Sequence, residues 1–133
     1  MSLRYADKEL REMSDMFRSD GSIDPTYVPD FEDCVLPFTR FFHDDFLGGT
    51  RGMSPDDGWP YTVMLMEMYS RGCALTLDDD RLSRLCGMSK AKFLRAKKYL
   101  IEEGKIIPLD VGLWNEKTEL TFILREISKQ SAK

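Results

Sequence analysis

Histidine occurs once in this chain, at His43, and cysteine three times, at Cys34, Cys73 and Cys86. A single histidine and the absence of Cys-x-x-Cys leave none of the ligand spacings that hold a structural or catalytic zinc. Three widely spaced cysteines fit a reducing cytosol better than a disulfide framework. No apolar run approaches the ~20 residues of a spanning helix, so no membrane association is expected. The N-terminus lacks the pattern of a secretory leader, which makes a cytoplasmic protein the expectation. Gly48-Gly49 and Gly52 are not followed by the Lys-Ser/Thr that completes a phosphate loop. His43-Asp44-Asp45 reads as surface or packing, and Asp78-Asp79-Asp80 as acids placed at the positive end of a helix dipole. No enzymatic reaction and no cofactor are expected.

What is present is one folded domain's worth of chain. The 133 residues are 42% hydrophobic and 11% aromatic, enough to build a core without disulfide or metal. Net charge is −4, which on average speaks against a nucleic-acid partner. The average conceals a strong asymmetry. Residues 1–80 carry a net −10, residues 81–105 a net +6, and residues 106–133 are neutral. The basic segment is either a solvated face balanced by acids or an electrostatic footprint for phosphate.

Periodicity divides the chain at residue 33. Residues 1–33 read as an appendage. Leu10, Met13 and Phe17 predict an amphipathic helix over residues 4–18, and an acidic, proline-containing linker follows over 22–33. Residues 34–133 read as the folded domain. Its opening stretch holds Phe38, Phe41, Phe42 and Phe46, ends at Gly48-Gly49, and is expected to fold under the N-terminal helix or to self-associate. Ser54-Pro55-Asp56-Asp57 starts a buried helix that stops near Gly72. Asp78 caps a second helix with Leu82 and Leu85 facing inward, closed by Gly87. Ser89 caps a third over residues 90–103. A hairpin with Pro108 at an edge and a final helix over 117–129 complete the series.

The predicted fold class is therefore mainly α with a small β-hairpin. It is a winged helix-turn-helix domain preceded by an N-terminal helical and extended appendage. On a helical wheel of the third helix, Phe93, Leu94, Ala96, Leu100 and Ile101 share the core face. Lys92, Arg95 and Tyr99 lie opposite, flanked by Lys98, while Lys97 falls inside the apolar arc and is expected to support the fold. Ser89, Lys90, Lys92, Arg95, Lys98 and Tyr99 are accordingly the candidate residues for double-stranded DNA. The wing tip, Asp110-Val111-Gly112, has no cation and should contribute little. Winged helices also serve as protein-interaction modules, so a replication-protein partner is the alternative.

The run Leu36-Pro37-Phe38, Asp45-Phe46-Leu47, Thr50 to Ser54, Gly58-Trp59-Pro60-Tyr61, Leu65 and Tyr69, followed by Leu77-Asp78-Asp79-Asp80-Arg81-Leu82 and Leu85-Cys86-Gly87, resembles the prophage YdaU-like domain of unknown function. The terminal part corresponds to Leu100, Ile106 and Gly112-Leu113-Trp114-Asn115, so the resemblance spans about residues 36–120. The chain departs from that pattern at Trp59-Pro60, where an alanine usually precedes Tyr, and at His43-Asp44. The family resembles phage replication-organiser proteins. The resemblance implies a role in DNA replication or its regulation, beside a helicase or its loader, and no assigned chemistry.

Overall fold

Side-chain caps set the central helices. In the computed structural model, which describes residues 7–29 and 43–131, the elements are α1 (Asp7–Glu12), α2 (His43–Thr50), α3 (Pro55–Arg71), α4 (Asp79–Cys86), α5 (Lys90–Glu102), β1 (Ile107–Leu109), β2 (Gly112–Trp114) and α6 (Glu116–Ser131). Asp78 accepts the Arg81 N–H at 2.8 Å, and Ser89 accepts the Lys92 N–H at 3.3 Å. Asn115 accepts the Thr118 N–H at 2.9 Å. Each satisfies one of the donors that a helix start leaves unpaired. Ser54 behaves differently. It stands at the N-cap of α3 but its hydroxyl donates to the Asp57 carboxylate at 3.1 Å. Gly87 takes φ 66 between α4 and α5, a left-handed conformation that makes the tight turn inexpensive.

The architecture is mainly helical with one antiparallel hairpin, as the sequence indicates. The core lies where α3, α4 and α5 meet, and the hairpin closes over it. Met64, Met68, Leu82, Phe93, Leu100 and Trp114 are all fully buried there. Burial of such side chains stabilises the fold by about 2–3 kcal/mol each. Leu75, between α3 and α4, exchanges two backbone hydrogen bonds with Leu113, each 2.9 Å long. β2 is therefore flanked on both sides, and β1 is the edge strand. Pro108, lacking an N–H, sits on that edge and is exposed. Helix, bridge strand, helix, turn, helix and hairpin follow one another from α3 to β2.

Several expectations are corrected. Among the described residues the N-terminal helix ends at Glu12 and does not run on to residue 18. The backbone turns after Glu12, where the Ser14 hydroxyl accepts the Met16 N–H at 3.2 Å, and Phe17 pairs with Ile23 as an antiparallel bridge. Leu10 and Met16 are buried, whereas Met13 is exposed. Residues 7–29 are packed against the rest: α1 lies along α6, and the Asp110 N–H donates to the Pro25 carbonyl at 2.7 Å. Gly48-Gly49 do not end the aromatic segment but lie inside α2. Phe46 stacks on Tyr61 with ring centroids 6.0 Å apart. Cys34, Phe38, Phe41 and Phe42 lie outside the described residues. Leu85 and Leu94, expected inside, are exposed. An eight-residue helix and a thirteen-residue helix touch their neighbours along stripes narrower than their apolar arcs.

Candidate nucleic-acid interface

The acids at the start of α4 and the cations of α5 decide which charges are free. Asp78 is used as a cap, as above. Asp79 accepts from the Lys97 ammonium at 2.8 Å, and both side chains are partly buried. That contact accounts for a lysine inside the apolar arc of α5: its stem packs and its head is neutralised by α4. Asp80 lies 3.0 Å from Lys90, and its hydrogen bond and charge hold the Lys90 ammonium above the ordinary lysine pKa. Lys98 stands 4.0 Å from Glu102, a loose and exposed pair.

Lys92 and Arg95 are different. Both are exposed, three residues apart on one face of α5, and neither has a carboxylate partner among the described residues. The first turn of α5 contains no acid, so Lys90 and Lys92 stand near the positive end of the helix dipole. Cations there are disfavoured by a few tenths of a kcal/mol each. Asp80 offsets this for Lys90, and no described carboxylate does so for Lys92.

The structure brings Ser89, Lys90, Lys92, Arg95 and Lys98 onto the exposed side of α5. It does not place Tyr99 there. Tyr99 is half-buried and packs against the core, because the wheel ignores the way the chain after α5 folds back beside its last turn. Arg81 and Arg84 on α4 are also exposed and without an ion pair among the described residues. Their three-residue spacing, which puts both on one side of α4, is the sequence signal for this second basic pair. Lys105 points its ammonium towards α2, within 3.1 Å of where a Gly49 side chain would begin.

The wing tip carries Asp110 and half-buried Val111, and the Pro25 contact ties it to the N-terminal segment. An open groove of about 720 Å³ lies between residues 8–23 and the start of the hairpin, lined by Arg11, Phe17, Arg18, Ile23 and Ile107. None of the α5 cations lines it. Arg11 there is paired with Glu116.

Groups with chemical potential elsewhere are few among the described residues. His43 is exposed, 3.6 Å from Asp44, and no three metal-ligating side chains converge among the described residues. Burial, and secondarily the Glu67 charge, pushes the Cys86 thiol up to about 11, which leaves it protonated at neutral pH. No helix of the described residues is long and apolar enough to cross a membrane.

Comparison with curated proteins and with solved structures finds no match. Comparison with protein-family models matches residues 37–120 to the family described as Protein of unknown function (DUF1376). That stretch is more than half of the chain and coincides with the one that carries the YdaU-like resemblance. The chain belongs to this family of proteins of unknown function.

Proposed function

We propose that this protein is a non-enzymatic, cytoplasmic DNA-binding module that contacts the duplex through α5. The observation that carries this reading is the selective pairing of its cations. Lys97 and Lys90 are engaged by α4, whereas Lys92 and Arg95 stay exposed with no described carboxylate. A charge placed against the helix dipole without an internal partner breaks a local rule with no gain in packing, and such sites are where function is sought. Ser89 and the first turn of α5 lead into the groove, Arg95 is long enough to reach a base edge, and Lys92 neutralises phosphate. The acidic wing tip stays out of the contact. The YdaU-like resemblance sets this binding in phage DNA replication or its regulation.

The test is duplex binding as a function of salt. Lys92→Ala combined with Arg95→Ala is expected to weaken binding and to reduce the slope of log K against log salt by about one to two units. Unchanged affinity and slope in the double variant remove α5 from the mechanism. One observation favours a second reading: three of the five α5 cations already face acids, which leaves little charge for DNA. On that reading the partner is a replicative helicase or its loader. Gel shifts then stay blank in low salt while the purified partner is retained by the immobilised protein.

A further inference from the structure

Trp59 is 55% exposed on α3, yet its indole N–H is already committed, donating to the Cys86 carbonyl at 2.9 Å. That bond has two consequences. It fixes the ring against the C-terminus of α4, so the aromatic face is presented in one orientation at little further entropic cost. It also leaves the exposed part of the ring without a polar group that needs water. Leu85, the residue before Cys86 on α4, is 43% exposed, and Met66 continues the Trp59 stripe two turns along α3. Tryptophan held rigidly among exposed aliphatic side chains is the commonest kind of anchor in a protein interface.

The charges around this apolar centre indicate what covers it. Asp56 lies one turn before Trp59 on the same stripe of α3, exposed and without an ion pair among the described residues. Arg84 lies beside Leu85, and Arg81 one turn before it; both are exposed and likewise without an ion pair among the described residues. The patch therefore carries an unpaired acid on one helix and unpaired bases on the other. A nucleic acid would be repelled by Asp56, and a uniformly acidic or basic partner would be complementary to only one side. A surface that carries both signs about an apolar centre offers a second copy an opposite for each charge, which an isologous two-fold contact requires.

We propose that the Trp59–Leu85 face is a homodimer interface, in which Trp59 and Leu85 of two copies pack together while Asp56 of each faces Arg84 of the other. The proposal uses neither Lys92 nor Arg95, and it is read by oligomeric state rather than by affinity for DNA, so the two are tested separately.

Sedimentation velocity of the full chain over a range from low to several hundred micromolar tests it. The wild type is expected to show a concentration-dependent monomer–dimer equilibrium. Leu85→Glu alters an exposed residue and leaves the Trp59 hydrogen bond in place; it should weaken the dimer at least tenfold with unchanged circular dichroism. Arg84→Asp and Asp56→Arg should each weaken it, and the two together should restore it. If Leu85→Glu does not fold, the charge exchange alone carries the test. A wild type that stays monomeric throughout, a dimer that persists in Leu85→Glu, or an exchange that restores nothing overturns the proposal.

Discussion

Trp114 donates its indole N–H to the Glu119 carboxylate at 3.1 Å, and neither side chain has appreciable contact with solvent. The same carboxylate accepts from Ser14 at 2.7 Å and from Tyr27 at 2.8 Å. A buried carboxylate is costly unless its lone pairs are satisfied. Here three neutral donors from three separate parts of the chain converge on it: the N-terminal turn, the segment after it, and β2. Glu119 is thus one point at which residues 7–29 are fastened to the hairpin and α6.

Glu119→Ala leaves two buried donors, on Ser14 and Trp114, and the half-buried Tyr27 hydroxyl without this acceptor. The expected loss is about 3 kcal/mol or more, measured as the shift of the urea midpoint at neutral pH. Cleavage by protease within residues 7–29 should accelerate in the same variant, because one of their attachments is lost. A loss under about 1 kcal/mol would mean that the cluster adds nothing beyond the packing around it.

The local features of this fold were legible in the sequence and the long-range ones were not. Asp78, Gly87, Ser89 and Pro55 mark helix ends by chemistry that acts over three or four residues, and those ends are where they were expected. Pro108 likewise announces an edge strand by the N–H it lacks. Glu119 gave no such signal, since two of its three partners, Ser14 and Tyr27, are 105 and 92 residues away in the chain. Leu85 and Leu94 misled because apolar spacing reports a face of a helix, while burial depends on what arrives to cover it. At the candidate site, spacing put Lys92 and Arg95 on one face. Only the packing of α4 on α5 shows that Lys90 and Lys97 are engaged by acids, and only the chain folding back after α5 sets Tyr99 against the core.

The two acids that follow the α4 cap should separate by function. If α5 meets DNA, Asp80 competes with phosphate for Lys90, and both side chains are more than half exposed. Asp80→Asn is then expected to tighten duplex binding about two- to threefold at low salt and to steepen the salt slope by up to about one unit. Asp79→Asn instead strands the half-buried Lys97. It should lower stability by about 1 kcal/mol while leaving affinity for DNA unchanged. The reverse assignment, with Asp79→Asn raising affinity and Asp80→Asn only reducing stability, would contradict the roles given to Lys90 and Lys97.

Gly112 and Gly48 predict opposite outcomes for the same substitution. Gly112 adopts φ 139, and a Cβ there would lie 2.4 Å from the Leu75 carbonyl oxygen, a backbone atom that is itself bonded to Leu113. Gly112→Ala must push Leu75 away from β2, and a loss of about 3 kcal/mol or more is expected. Gly48 lies inside α2 with open space around its Cα. Gly48→Ala should stabilise by about 0.5–1 kcal/mol through helix propensity and the unfolded state. Thermal midpoints of the two variants, taken beside the wild type, check both signs at once.

Stability should fall steeply in alkali. Burial raises the pKa of Tyr61 and Tyr69, and burial reinforced by the adjacent Glu119 charge raises that of Tyr27 further. Cys86 is pushed up to about 11 from a value near 9. In each case the folded protein keeps a proton that the unfolded chain releases. Above the unfolded pKa the unfolded state therefore binds fewer protons, and stability decreases as pH rises. The contribution is intact below about pH 9. It is lost first through Cys86 between about pH 9 and 11, and then through the tyrosines from about pH 10 upward, at up to ~1.4 kcal/mol per pH unit for each group. Tyr27→Phe separates the tyrosine at Glu119 from the rest. It loses the hydrogen bond, so it should be about 1 kcal/mol less stable than wild type at pH 8. It has one fewer proton to release, so its urea midpoint should decline more gently above pH 10 and approach the wild-type value. Parallel declines in the two proteins above pH 10 would show that Tyr27 is not held neutral by its burial beside Glu119.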